Sequence, residues 1–540
     1  MRKRLLVLLI LCSAVLPARA SVAITEIREM VPMSDGVKLD AVLYLPVDAE
    51  PGVPLIVRQH GGGSTKDDAF DKGFAIKAVE SGDFALLMYS ARGHGSSEGI
   101  FDFFGPRTTR DVSEMLDWVN ARAGSAVNIN VVGMNGYSQG GGGSLLPAAQ
   151  DPRIRSVAVG NTFDDLNRAL NPNDCFKASF ATGIFAGAYT VTGSRVDDST
   201  AGRWGAQFYT DTEAISLDPA FPSTTDDLHA RSPLTHLQPL IDRQVPVFWT
   251  QAWEDQLFPA DMPAHILQPL ADAGVLVHYW FNSGGHAAQD VVSERNAREA
   301  AMLNWFRQTL LGEPQGFSNA AQVDYYERVA GRPRASTEGD WSGPFQSATW
   351  PIASTSSVLY AHGDGTLSAT ANTASAPIGP IVNTSASVNV ANDALVLEVA
   401  RNIPGAEAHV RSVPEDGNAA DSVTFESAPF EQPLRVVGAP SVQTDLVEVA
   451  GARVQVNAKL WDVNGDVAQL IWRGCTSSAD AGDQLVSQDL WPNAHTFQPG
   501  HSLRLVVSTV DFPTFQPLRT PFAYSVDTNG GTSISLPVAP

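Results

Sequence analysis

The run Val131-Val132-Gly133-Met134-Asn135-Gly136-Tyr137-Ser138-Gln139-Gly140 decides the reading of this chain. A β-branched, apolar stretch ends in G-x-S-x-G, and further glycines follow at Gly141, Gly142 and Gly143. Such a pattern predicts a strand that stops, turns sharply through the serine and enters a helix. Glycines flank the serine because the turn brings backbones too close for side chains. A serine held on that turn has its hydroxyl clear of the sheet, and the next backbone N–H is poised to receive a developing oxyanion.

The surrounding segments fit a sheet with crossover helices. Leu39 to Leu45, Pro54 to Gln59 and Phe84 to Tyr89 read as strands, with helical patterns at Ala69 to Ser81 and Thr109 to Ala121. Strands separated by helices imply right-handed crossovers and a mostly parallel sheet covered on both faces. The rhythm breaks over residues 163–243. That segment is rich in Asn, Asp, Thr, Gly and aromatics (Phe176, Phe180, Phe185, Tyr189, Trp204, Phe208 and Tyr209) and reads as a cap inserted over the strand ends. The sheet resumes at Val245 to Thr250 and Val275 to Phe281, and a helix over Val291 to Leu311 closes it. From about residue 316 to 540 short alternating runs dominate, among them Ala394 to Val399, Val454 to Trp461 and Ser502 to Thr509. They predict an all-β sandwich of jelly-roll type. The expected fold class is thus α/β, an α/β-hydrolase domain over 21–315 with an inserted cap, followed by a jelly roll.

A serine nucleophile needs a base and an acid, which in this fold follow it in the order Ser, Asp or Glu, His. After the strand at 245–250 comes Trp253-Glu254-Asp255-Gln256-Leu257-Phe258-Pro259; after the next comes Asn282-Ser283-Gly284-Gly285-His286. Ser138, Asp255 and His286 are therefore the expected catalytic set. Glu254 is the competing acid, placed second because Asp255 lies three residues before Phe258-Pro259. The loop His60-Gly61-Gly62-Gly63 predicts an oxyanion hole of backbone N–H groups from Gly61, Gly62 and Gln139. His60 and His94, the latter in Arg92-Gly93-His94-Gly95, read as structural loop residues.

Composition sets outer limits. The chain has 540 residues, 44% hydrophobic and 17% charged, which suits two or three globular domains. A net charge of -22 argues against nucleic acid and anionic membranes as partners. Arg2-Lys3-Arg4, an apolar run from Leu5 to Leu16 and Ala18-Arg19-Ala20 read as a signal peptide cleaved after Ala20, so a secreted or periplasmic location is expected. No segment reads as a membrane span. Cys175 and Cys475 could form one disulfide there. The absence of a P-loop, zinc-ligand spacing or dinucleotide fingerprint predicts no cofactor and no metal.

Together these motifs resemble the cocaine-esterase and X-Pro dipeptidyl-peptidase superfamily of serine hydrolases. The residues that carry the likeness are Met33 to Leu39, the loop Arg92 to Phe101, the helix Asp111 to Trp118, Pro433 to Pro440, and His501 to Leu505 with Asp511-Phe512-Pro513. The resemblance implies hydrolysis of an ester, a β-lactam amide or an X-Pro peptide. Two departures stand out. Gln139 follows the serine where the family usually has tyrosine, and His60-Gly61-Gly62 occupies the loop from which relatives often donate a tyrosine hydroxyl. A dipeptidyl-peptidase must also hold a free amino terminus, for which Asp164 and Asp165 are candidates. Ester hydrolysis is the favoured expectation, with a peptidase or acylase as alternative, and a silent carbohydrate-binding protein as the non-enzymatic one. The expected substrate partner is a small ester or amide; quaternary state is open.

Overall fold

The computed structural model describes residues 21–540, apart from 48, 178–179, 182–188, 191, 211–222, 287–290, 330–337, 384–419, 481, 512–513 and 519. The leader at 1–20, the run Ala394 to Val399, Phe185 and the side chains of Phe208 and Tyr209 lie outside the described residues.

The first sheet is built from β1 (Ile24–Pro32), β2 (Lys38–Pro46), β3 (Val53–Gln59), β4 (Ala85–Tyr89), β5 (Val127–Tyr137), β6 (Ile154–Gly160), β7 (Val247–Ala252), β8 (Val277–Asn282), β9 (Val323–Arg328) and β10 (Trp341–Ser347). Pairing gives the order β1-β2-β4-β3-β5-β6-β7-β8-β9-β10. The stretch from β4 to β9 is parallel, and antiparallel strands edge it on both sides. Every residue of β7 and β8 is buried, as befits strands covered on both faces.

Three helices that pack on this sheet are α1 (Ala69–Glu80), α2 (Pro106–Ala123) and α3 (Gln139–Gln150), the last opening directly after the serine. α2 buries Val112, Met115, Leu116 and Val119, one helical stripe. The helix Val292–Leu311 packs so closely on β5 that a Cβ at Gly133 would lie 2.7 Å from the Phe306 ring.

The first sheet runs on past residue 315, where the jelly roll is expected to begin. β9 and β10 follow that point in sequence yet extend the first sheet, β9 pairing parallel with β8 from Tyr279–Val323 to Phe281–Tyr325. The remainder is mostly antiparallel, with Thr366–Ser368 pairing parallel to Ser422–Ser427, and has its own apolar core. Ser422–Ser427, Ser502–Ser508, Val454–Asn464 and Val467–Ser478 follow one another in pairing. Ser441–Ala450 pairs with Gln484–Asp489 and with Ala523–Asp527 and Ser533–Val538. A Cys175–Cys475 disulfide joins the segment expected as a cap to this β domain, across 300 residues of sequence. Among the described residues no helix is long and apolar enough to cross a membrane.

Candidate active site

β5 ends at Tyr137, and Ser138 enters α3 with φ 55° and ψ -125°. A non-glycine residue in this region carries strain of about 1–3 kcal/mol, so the surroundings must impose it. They do so by close approach. A Cβ at Gly136 would lie 2.2 Å from the Gly140 carbonyl oxygen, and one at Gly140 would lie 2.3 Å from that of Gln59. The Ser138 N–H donates to the Gly160 carbonyl at 3.0 Å, pinning the turn to β6.

Three residues far apart in the chain meet above these strand ends. Ser138 Oγ lies 2.9 Å from His286 Nε2, and His286 Nδ1 lies 2.8 Å from Asp255 Oδ2. Asp255 Oδ1 accepts the N–H groups of Leu257 and Phe258, each at 2.9 Å. Glu254, the competing acid, points elsewhere: it pairs with Arg328 of β9 at 2.7 Å. The Phe258 ring meets the His286 ring edge-on at 5.2 Å between centroids. Aromatic contacts continue from Phe258 to Phe163 and on to Phe104.

The loop after β3 is set by His60. Its Nε2 accepts the Ala91 N–H at 2.9 Å, so the proton sits on Nδ1, which donates to the Gly61 carbonyl at 2.7 Å. Because a trans peptide opposes its C=O and N–H, fixing the Gly61 carbonyl also fixes the Gly62 N–H. Burial keeps the ring neutral, holding its pKa down at about 4. A Cβ on Gly62 would lie 3.5 Å from Gln139 Oε1, which brings this loop against the start of α3. His94 has its pKa pushed down to about 3, chiefly by burial and further by His60. Arg92 beside it holds buried Asp111 through two 2.7 Å bonds, so this loop braces α2.

Sequence reasoning passed over two residues that organise the site. Asn161 accepts the Ala252 N–H at 2.9 Å and donates to the Gly285 carbonyl at 3.5 Å, tying the acid loop to the histidine loop. Tyr189 donates to Gln139 Oε1 at 2.9 Å. The positive φ of Asn161, 42°, has no signature in a lone Asn, and Tyr189 lies 50 residues from its partner.

Two family models match this chain: the X-Pro dipeptidyl-peptidase (S15 family) over residues 35–288, and the X-Pro dipeptidyl-peptidase C-terminal non-catalytic domain over 315–532. The chain belongs to the cocaine-esterase and X-Pro dipeptidyl-peptidase superfamily. It is a hydrolase of the serine type that this family comprises. No curated protein matches the chain. Solved structures share the fold across nearly the whole length. An aminopeptidase from a marine sediment Thaumarchaeota archaeon has a TM-score of 0.71 at 18% identity, with 95% of this chain and 96% of that one covered. An α-amino acid ester hydrolase has a TM-score of 0.67 at 20% identity, covering 98% and 99%. A CocE/NonD family hydrolase from Staphylococcus aureus has a TM-score of 0.64 at 14% identity, covering 96% and 94%.

Proposed function

We propose that this protein is an exported carboxylic ester hydrolase working through an acyl-enzyme on Ser138. The observation that carries the reading is the unbroken relay from Ser138 Oγ through the His286 imidazole to the Asp255 carboxylate, with contacts of 2.9 and 2.8 Å. His286 Nε2 takes the serine proton as Oγ attacks the ester carbonyl. Asp255 holds the Nδ1–H tautomer and stabilises the imidazolium. The N–H groups of Gln139 and of the Gly61-Gly62 loop receive the oxyanion, each donor contributing ~3 kcal/mol in the transition state. The imidazolium then protonates the leaving alcohol, and water repeats the route to release the acid.

Ester preference over X-Pro peptides rests on the two aspartates that could have held a substrate ammonium. Asp164 is engaged by His265 at 2.7 Å, Arg168 at 3.3 Å and the Asp165 N–H. Asp165 caps the helix Leu166–Leu170 and contacts His229. Asp164 thus ties the cap to the helix Met262–Asp272, and Asp165 serves the cap's own structure. The aromatic surroundings of His286 suit an apolar acyl or aryl group. Export rests on the basic and apolar leader at 1–20, and the Cys175–Cys475 bond suits an oxidising compartment.

The test is a panel of aryl esters, acyl amides and X-Pro anilides run on wild type and Ser138→Ala, with fluorophosphonate labelling alongside. Esters should turn over fastest, and the variant should neither turn over nor label. Faster cleavage of X-Pro anilides would replace the esterase reading with a dipeptidyl-peptidase one. A wild type that remains unlabelled would remove the mechanism altogether.

A further inference from the structure

The acid loop over 253–258 is held by residues distant in sequence, two from strand β9 and one from the β domain. The Trp253 indole donates to the Tyr326 carbonyl at 2.6 Å, Glu254 meets Arg328, and Gln256 Oε1 accepts from Arg473 of the β domain at 3.0 Å. The last support is a lysine. Lys177 is fully buried, and its ammonium donates to the Leu257 carbonyl at 2.7 Å. The Leu257 N–H in turn donates to Asp255 Oδ1. One cation therefore fixes the residue that holds the carboxylate.

Lys177 is itself held by the β domain. Its ammonium lies 4.8 Å from the Trp491 ring centroid and 5.0 Å from that of Phe180. Two residues before it, Cys175 is bonded to Cys475, and Cys175, Cys475, Phe515 and Trp491 form a small apolar cluster. The Phe176 carbonyl accepts the Gln516 N–H at 2.8 Å. A buried ammonium is costly to solvate by rings and one carbonyl. Burial pulls its pKa down to about 7, with Asp255 and Asp261 opposing the fall. A site needing only a filled space would be served by methionine at less cost.

We propose that Lys177 is a positioning residue for the catalytic acid, transmitting the hold of the C-terminal β domain and the Cys175–Cys475 bond to Asp255 through the Leu257 peptide. The proposal rests on the triad reading above. It makes the β domain part of the catalytic machinery, although it supplies no reacting group.

Four proteins test it: wild type, Lys177→Met, the Cys175→Ser/Cys475→Ser pair, and all three substitutions together. Lys177→Met should lower kcat on an aryl ester by about tenfold with KM unchanged, because a misplaced acid impairs proton transfer and leaves substrate contacts alone. The cysteine pair should act in the same direction. The triple variant should be no worse than Lys177→Met, since both changes break one chain of contacts. Hydrogen exchange at the Leu257 and Phe258 amides should quicken in each variant, a readout independent of turnover. Wild-type kcat and exchange in Lys177→Met would overturn the proposal, as would a change confined to KM. Fully additive losses would overturn the link through the disulfide. If Lys177→Met does not fold, Trp491→Leu keeps the ammonium and removes the ring beside it; an unchanged kcat there overturns the idea equally. An inactive, unlabelled wild type whose Lys177→Met variant still quickens those amides would sink the hydrolase mechanism and leave the positioning contact standing.

Discussion

Asp255 and Glu254 are adjacent carboxylates just past the end of β7, yet their surroundings give them different work. Asp255 receives two backbone N–H groups on one oxygen and the imidazole on the other. Glu254 spends its charge on the buried Arg328 guanidinium. Asp255→Asn should therefore cost about 10³–10⁴-fold in kcat, by leaving His286 in the wrong tautomer. Glu254→Gln should leave kcat within about tenfold and show its loss in thermal stability, because it removes the carboxylate from a buried ion pair. Steady-state kinetics and thermal melts on both variants check the pair; a large kcat loss in the glutamate variant with normal melting would reverse the assignment. The sequence favoured Asp255 from its spacing to Phe258-Pro259, and that spacing has a physical basis: the turn folds the Leu257 and Phe258 amides back onto the carboxylate. What the sequence could not offer was the partner of Glu254, which lies 74 residues away on a strand read as part of another domain.

At the scale of elements, α3 shows why a poor helix former was legible as a helix. Four glycines in a row should cost ~1 kcal/mol each against alanine, and only contact can compensate. Three of them are forced. A Cβ at Gly140 would strike the Gln59 carbonyl, at Gly141 the Thr162 side chain within 2.7 Å, and at Gly142 the Phe163 ring at 2.3 Å. Gly143 differs: its nearest neighbours would be 3.7 Å away or more. Gly143→Ala should accordingly stabilise the protein by up to ~1 kcal/mol with full activity, whereas Gly140→Ala should unfold it or displace the serine turn. Melting temperatures of the two variants decide it; destabilisation by Gly143→Ala would mean the helix cannot tolerate even free space being filled. β2, β3, β4, β7 and β8 were readable as short apolar runs between turn residues, whereas β6 and the helix Met262–Asp272 went unread. The cap was readable only as a break in rhythm, since Lys177 and Tyr189 act on partners distant in sequence. β9 and β10 were assigned to the jelly roll because a short strand's alternation does not say which sheet it joins.

For the whole molecule, the same close packing that shapes the Gly61-Gly62 loop makes the fold sensitive to acid. His60 and His94 lie with ring centroids 5.0 Å apart, both buried and both held neutral, at pKa values of about 4 and about 3. In the unfolded chain each titrates near 6.5. As pH falls from 7, the unfolded state binds these two protons first, and the folded state takes them only near 4 and below. Stability is therefore fully present above pH 6.5 and is lost as the medium is acidified toward 4, with ~3 kcal/mol from His60 alone. Folded His60 cannot accept its proton without surrendering the Ala91 N–H bond at Nε2, so acid attacks the geometry of the Gly61-Gly62 loop as well as the global balance. We expect unfolding free energy from urea titrations to fall between pH 6.5 and 4, and His94→Asn to flatten that slope while lowering stability at pH 7. A slope unchanged by that substitution would mean that His94 takes no part in the acid transition.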